Sequence, residues 1–248
     1  MKIIGDIGNT EVKICLVDDA SKIKKKVSIK TNEINKNKIK VKLKYFKNKK
    51  NKIKNIVFSS VVPKIYNQFS NYFNLYFDKK IVEIKNLNLN KLINIKVNKK
   101  QVGSDRLANS IALINPKKNF IIIDFGTATT FDVIIKDTYK GGVIAPGIRI
   151  SLNTLSDKAT LIPKINLKKI KNIIGIDTVT AVRSGFFWGY AGLIDNIVNL
   201  IKKETNKSFK VVITGGFSNL FKKSIKTKVV LNKEITVKGL IKISELMK

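Results

Sequence analysis

Two stretches of the chain alternate apolar runs with a short polar turn, and they resemble each other. The first is MKIIGDIGNTEVKICLV at the N-terminus, and the second is IIIDFGTATTFDVII at residues 121–135. In both, an apolar run leads into Asp, one apolar residue and Gly, and a second apolar run follows. The pattern predicts a two-stranded hairpin over residues 1–18 and another over residues 119–136.

The other apolar patterns predict further elements between and after the hairpins. Before the second hairpin, weak signals in the Lys/Asn-rich residues 20–55 predict a further strand or two and a helix. Residues 56–65 predict a buried strand that enters a loop with Pro63, and residues 66–100 are again biased toward Lys and Asn. Residues 101–114 predict a Gly-Ser-Asp turn followed by a helix. After the second hairpin, residues 141–155 predict a strand and a loop that enters a helix. A long helix is predicted from Asp177 to about Glu204, with Asp177 or Thr178 as its N-cap. Residues 209–221 predict a strand, a Gly-Gly turn and a helix, and they are followed by a strand near Val229–Leu231 and a helix from about Val237.

Both halves therefore follow one order of strand, Asp-Gly turn, strand, further strands and helix. Such an order indicates an internal duplication. We expect two similar domains, residues 1–115 and 116–248, with one turn from each contributing to a cleft between them.

Composition excludes several classes of protein. In 248 residues, 44% of them hydrophobic, no apolar run approaches the roughly 18 residues of a membrane span, and the N-terminus lacks a signal-peptide pattern. We expect a soluble cytoplasmic protein with no membrane partner.

The chain has no histidine and one cysteine, Cys15, which excludes His-based triads and structural zinc sites. A general base must then be a carboxylate or, less favourably, Lys or Tyr.

The net charge of +32 raises the question of nucleic-acid binding. Only three of the 49 basic residues are arginines, the side chains that read guanine through two hydrogen bonds. The composition therefore favours solvated lysine-rich faces over a nucleic-acid function. The arginines, Arg106, Arg149 and Arg183, all lie in segments that other features single out.

The two Asp-Gly turns suit phosphate binding. Glycine lets backbone N–H groups approach an anion, and hydroxyl or amide side chains add donors. An Asp beside them could hold Mg²⁺, which bridges phosphate oxygens. One such turn alone is more often an ordinary hairpin turn, but two matched copies favour a nucleotide clamp. The side-chain donors are Asn9, Thr10, Thr127, Thr129 and Thr130.

Two more segments carry candidate chemistry. The TGG turn at 214–216, between a strand and a helix, would let a nucleoside approach the backbone. In VGSDR at 102–106, Asp105 could accept a proton from an attacking hydroxyl and Arg106 could bind a substrate carboxylate. A helix N-terminus with a favourable Asp and a solvated Arg explains VGSDR equally well.

Paired Asp-Gly hairpins with a TGG turn resemble the actin, sugar kinase and Hsp70 superfamily. Within it, seven motifs resemble the type III pantothenate kinase family, in the order of that family and across nearly the whole chain. They are DIGNTEVK, SSVVP, VGSDRLAN, IDFGTATTFDVI, GGVIAPG, DTVTAVRSGFFWGYAGLID and ITGG. The resemblance implies an α/β fold of two ribonuclease H-like (actin-like ATPase) domains, and phosphorylation of pantothenate by ATP in the first step of coenzyme A synthesis.

The same resemblance implies the roles of individual residues. Asp105 would be the proton acceptor, Asp124 would bind K⁺ or NH₄⁺, and Asp6 would be the partner of the Mg²⁺ that accompanies ATP. Pantothenate would contact Gly103, Ser104, Asp105, Arg106 and, across the interface of a homodimer, Thr178. ATP would contact Asp6, Ile7, Gly8, Asn9, Thr10, Glu11, Val12, Lys13 and Thr127, together with Gly215 and Gly216 of the TGG turn.

The chain departs from the family at two positions. Lys96 and Lys99 stand where many members have Tyr and Pro, which puts one pantothenate contact in doubt. Two other functions remain open on the sequence: a transcription regulator on the same fold, and a kinase of another small molecule. Asp105 argues against the regulator, and VGSDR with DTVTAVRSG argues for pantothenate over sugars.

Overall fold

The computed structural model describes residues 1–247, which form two compact units. The first unit comprises Met1–Ile114, Asp137–Tyr139 and the C-terminal residues from Glu234 onward, and the second comprises Asn115–Lys136 and Lys140–Lys233. The first boundary falls beside the expected one at residue 115. The C-terminal residues, which the sequence assigned to the second domain, belong to the first unit.

The first unit is built on a five-stranded sheet of order β3-β2-β1-β4-β5. Strands β1, β2 and β3 pair antiparallel, while β4 is parallel to both β1 and β5. A short sixth strand, β6, pairs with the first two residues of β9. The strands are β1 Lys2–Ile7, β2 Glu11–Val17, β3 Ile23–Lys30, β4 Asn55–Ser60, β5 Val82–Glu83 and β6 Asn94–Ile95.

Five helices complete the first unit: α1 Lys36–Lys42, α2 Lys44–Lys47, α3 Pro63–Phe77, α4 Ser104–Leu113 and α8 Ile235–Ser244. Helix α3 turns Phe69, Phe73 and Phe77 toward the core at a spacing of four residues, and Phe58 of β4 packs edge-on against Phe73. Helices α4 and α8 pack closely, because Gly239 lies directly against the backbone of Ala108. A side chain at position 239 would separate the two helices, so this contact fixes α8 in the first unit.

The second unit holds the strands β11-β10-β7-β8-β9 of a six-stranded sheet, in that order, and the sixth strand of this sheet is β6. Its strands are β7 Asn119–Phe125, β8 Ala128–Ile135, β9 Thr138–Pro146, β10 Lys210–Gly215 and β11 Val229–Leu231. Its helices are α5 Ile148–Lys158, α6 Thr178–Thr205 and α7 Ser218–Phe221. Phe187, Ile194 and Val198 of α6 pack on the sheet face that carries Ile121 and Ile123.

The two sheets repeat one topology. In each, the first strand of the Asp-Gly hairpin lies between its antiparallel partner and a parallel strand, and β1, β2, β3, β4 and β5 correspond in order to β7, β8, β9, β10 and β11. The predicted α/β class and the repeated order of elements are therefore confirmed. A search of residues 1–247 finds no helix long and apolar enough to cross a membrane.

Several predicted boundaries are also confirmed. The long helix α6 begins after Asp177, whose carboxylate accepts from the N–H of Thr180 at 2.8 Å in a capping box. The terminal helix starts at Ile235, two residues before the predicted start. Helix α3 and the short strands β5 and β6 were missed. Pro63, interpreted as a loop residue, is the first residue of α3, where its missing N–H costs no hydrogen bond.

Candidate active site

The first Asp-Gly turn joins β1 to β2. Gly8 N–H donates to the carbonyl of Glu11 at 3.1 Å, and Thr31 at the end of β3 supports the turn, its hydroxyl donating to the Gly8 carbonyl at 2.7 Å. Asn9 and Thr10 are exposed at the tip. Gly8 does not adopt the left-handed backbone that would by itself demand glycine. The turn therefore has exposed donors at its tip, and the hydrogen bonds of Gly8 with Glu11 and Thr31 hold its backbone in place.

Asp6 lies at the base of this turn with one anchoring hydrogen bond. The hydroxyl of the fully buried Ser59 donates to Asp6 Oδ1 at 2.7 Å. The pKa of Asp6 is raised to about 6, chiefly by burial and also by the charge of Asp105, while the hydrogen bond from Ser59 acts in the opposite direction. Asp6 and the segment of Asp105 are both held by the end of β4, through Ser59 and Ser60 respectively.

The VGSDR segment forms the start of α4, with Gly103 as the N-cap. Asp105 Oδ1 accepts from the backbone N–H of Arg106 at 2.8 Å. A Cβ on Gly103 would lie 2.5 Å from the same oxygen, so the carboxylate folds back over the glycine. Burial raises the pKa of Asp105, while the N–H and charge of Arg106 and the charge of Lys85 lower it. A carboxylate in this position is a stronger base than an exposed one.

The end of β4 holds both segments of the first unit. Besides the bond from Ser59 to Asp6, the N–H of Val61 donates to the carbonyl of Ile7 at 3.0 Å. The hydroxyl of Ser104 contacts the carbonyl of Ser60 at 3.3 Å. Consecutive residues at the end of β4 therefore hold the first Asp-Gly turn on one side and the Asp105 loop on the other.

The second Asp-Gly turn joins β7 to β8 and is one residue shorter, since Gly126 N–H donates to the carbonyl of Ala128 at 3.1 Å. Gly126 and Thr127 are exposed, whereas Thr129 is fully buried. Of the predicted side-chain donors in this turn, Thr127 is thus the exposed one.

Two glycines surround the second turn. Gly215 of the TGG turn has a φ of 85°, and a Cβ there would collide with Asp124 Oδ1 and with the backbone of Phe125. A Cβ on Gly147 would collide with the carbonyl of Thr127. Gly216 N–H donates to the carbonyl of Phe125 at 3.0 Å. The TGG and GGVIAPG motifs therefore both pack against this turn.

Thr178 lies at the start of the long helix of the second unit. It is the first residue of α6, it is exposed, and the segment before it carries the exposed apolar side chains of Ile173, Ile174 and Ile176. Arg149 and Arg183 have local partners instead: Arg149 lies over the ring of Phe217, and Arg183 Nε donates to the carbonyl of Asn166.

The described residues contain no group of three or more His, Cys, Asp or Glu side chains able to hold a metal ion. Asp124 offers a carboxylate oxygen beside Gly215, and an oxygen ligand of this kind suits a monovalent cation.

Three residues near these segments escaped the sequence analysis of function: Ser59, Glu83 and Gly147. Ser59 and Gly147 lie in the SSVVP and GGVIAPG motifs. These motifs contributed to the family resemblance, but the sequence assigned neither residue a role. Glu83 accepts from the hydroxyl of Ser104 but lies in a two-residue strand of no recognisable motif.

Comparisons with known proteins agree on one family. The family model of type III pantothenate kinase matches residues 2–200. A type III pantothenate kinase of Pelagibacter ubique (strain HTCC1062) is 62% identical over 248 residues, which cover 100% of each chain.

Two solved structures show the same fold. A Campylobacter jejuni protein provisionally described as a Baf family transcriptional activator has a TM-score of 0.62 at 18% identity, covering 98% of this chain and 97% of its own. An inorganic polyphosphate/ATP-glucomannokinase from Arthrobacter sp. strain KM has a TM-score of 0.51 at 11% identity, covering 99% and 98%.

Proposed function

Because the chain belongs to the type III pantothenate kinase family, we propose that it transfers the γ-phosphoryl group of ATP to pantothenate. The products are ADP and 4′-phosphopantothenate, in the first step of coenzyme A synthesis. The observation that carries this proposal is the position of Asp105, a base of raised pKa beside the turn that carries Asp6. We place the reaction in the cytoplasm, where ATP is available.

The transfer needs one base and several binding groups. Asp105 accepts the proton of the pantothenate hydroxyl while the oxygen of that hydroxyl forms a bond to the γ-phosphorus of ATP. The bond between the γ-phosphorus and the bridging oxygen breaks, and that oxygen leaves with ADP. The proton then passes from Asp105 to solvent. Arg106 supplies a fixed positive charge for the carboxylate of pantothenate. Gly103 and Ser104 line the loop that holds the substrate.

ATP contacts are proposed for both turns and for the TGG segment. The residues Asp6 to Lys13 contact phosphates through exposed N–H groups and side chains, and Thr127 contributes its hydroxyl. Gly215 and Gly216 let the nucleoside approach the backbone, because neither carries a side chain. Asp6 is the protein partner of Mg²⁺, and this ion supplies charge neutralisation to the phosphates when it is bound.

We expect activity to require K⁺ or NH₄⁺, with Asp124 as the ligand. Replacing both ions by Na⁺ or Tris should depress the rate, and Asp124→Asn should abolish the difference between the two buffers. The rate of ADP formation in matched buffers of equal ionic strength measures both effects. An equal rate of the wild-type protein in all buffers would assign Asp124 another role, such as a second magnesium contact.

A homodimer is proposed from the surface of α6. A Cβ on Gly185, Gly189 or Gly192 would meet nothing within 4 Å in the chain, although each glycine weakens the helix by about 1 kcal/mol relative to alanine. Phe186 and Leu193 of α6 line an apolar groove with Leu155 of α5. A second copy packing there would explain the glycines and would cover the exposed isoleucines before Thr178. Thr178 would then reach the pantothenate site of the partner.

ADP release tests this function against other kinases and against a regulator without catalysis. With Mg²⁺ and K⁺ present, ADP should form only when pantothenate is added, and a panel of sugars should not replace it. ADP formation without pantothenate, or with a sugar in preference to it, would contradict the proposed substrate. Absence of ADP under all conditions would contradict kinase activity itself.

A further inference from the structure

Glu83 reaches the loop of Asp105 from a neighbouring strand. It ends β5, beside Phe58 of β4, and one of its carboxylate oxygens accepts from the hydroxyl of Ser104. Ser104 is 1% exposed and is the first residue of α4. A buried hydroxyl that donates to a carboxylate forms a stronger hydrogen bond than one between neutral groups. Glu83 therefore anchors the helix end that carries Asp105.

The other oxygen of Glu83 is fixed as well. It accepts from the N–H of Lys85 at 2.6 Å, which closes a turn onto the 3₁₀ segment Ile84–Asn86. Lys99 then clamps this segment, since its Nζ donates to the carbonyls of Lys85 and Leu87, each at 3.0 Å. Lys99 precedes the Asp105 loop in the chain. The carboxylate of Glu83 is thus held by its own segment and is not free to follow Ser104.

Small movements of this helix end displace the base. Asp105 follows Ser104 directly, and its carboxylate folds over Gly103 so closely that no side chain fits between them. A rotation of Ser104 would move Asp105 relative to the hydroxyl that it must deprotonate. Misplacing a reacting group by 1 Å can cost about 10²-fold in rate.

We propose that Glu83 is a positioning residue for Asp105, acting through Ser104; this inference rests on the proposed function. Glu83 fixes the start of α4 so that the base meets the substrate hydroxyl. Lys99 makes the segment of Glu83 rigid through its two hydrogen bonds to the carbonyls of Lys85 and Leu87.

Kinetics of matched variants test the proposal. Glu83→Ala should lower kcat/KM for pantothenate by about 10–100-fold and leave KM for ATP unchanged. Glu83→Gln keeps one acceptor for Ser104 and should retain more activity than Glu83→Ala. The losses caused by Glu83→Ala and Ser104→Ala should combine less than additively in the double variant, because both changes remove the hydrogen bond between these two side chains. The control is Glu33→Ala, which removes an exposed carboxylate paired with Lys30 and Lys38 in the same unit and should be as active as wild type.

Hydrogen exchange of the ligand-free proteins separates this inference from the proposed function. Glu83→Ala, but not Glu33→Ala, should speed exchange of the amides at residues 104–108. If wild type has no pantothenate-dependent activity, the proposed function fails and exchange alone decides whether Glu83 holds the loop. Glu83→Ala as active as Glu33→Ala, or a loss that raises both KM values together with a lower Tm, would overturn the proposal. Should Glu83→Ala not fold, Glu83→Gln and Ser104→Ala face the same criteria.

Discussion

Asp105→Asn is expected to lower turnover by a factor of about 10²–10⁴, the usual contribution of a positioned general base. The amide cannot accept the proton of the pantothenate hydroxyl. Its oxygen can still accept from the N–H of Arg106, so the start of α4 should keep its structure. Because the base acts on the hydroxyl and not on the nucleotide, ATP binding should change little. Steady-state turnover and ATP titration of the variant measure the two effects.

Asp78→Asn is the matched control for this change. Asp78 is an exposed residue at the end of α3 with a φ of 53°, a conformation that Asn also tolerates. The same chemical substitution in the same unit should leave turnover unchanged. Near-normal turnover of Asp105→Asn would remove Asp105 from the mechanism and leave the base to be sought among the other carboxylates.

Mixing two inactive dimers is expected to restore activity to roughly a quarter of wild type, if the partner's Thr178 completes each site. Asp105→Asn and Thr178→Arg should each be nearly inactive as pure dimers. In a mixed dimer, one site collects both lesions and the other collects neither. Free exchange of equal amounts makes about half of the dimers mixed, so a quarter of all sites are intact.

Differently tagged subunits show whether exchange has occurred. No recovery of activity, despite exchange, would mean that Thr178 serves its own chain or has no role in the site. The exposed position of Thr178 at the start of α6 argues that the larger arginine side chain leaves the chain folded. A circular dichroism spectrum like that of wild type would confirm this for the variant used.

Local patterns predicted much of the fold. Both hairpins and the cap of α6 follow from short stretches whose alternation, Asp-Gly turns and N-cap residue carry their own physical reasons. Helix α3 was hidden because its surface residues share the Lys/Asn composition of the loops around it. Its buried face of Phe69, Phe73 and Phe77 is nevertheless regular, so a closer search for four-residue spacing would have found the helix.

The contacts that fix the site could not be predicted in the same way. Ser59 bonds Asp6 from 53 residues away, and Glu83 bonds Ser104 from 21 residues away. The first contact arises from the pairing of β1 with β4, and the second arises where the start of α4 lies against the ends of β4 and β5. No sequence period encodes either arrangement. The close packing of Gly147 against Thr127 is likewise visible only once the chain is folded.

The most direct test of the central claim is the identity of the phosphorylated product. Mass spectrometry of a reaction with pantothenate and ATP whose γ-phosphoryl oxygens carry ¹⁸O should find one labelled phosphoryl group on the 4′ hydroxyl of pantothenate, in amounts equal to the ADP formed. Unchanged pantothenate, with the label recovered in inorganic phosphate, would contradict the account. The protein would then hydrolyse ATP without transferring the γ-phosphoryl group to pantothenate.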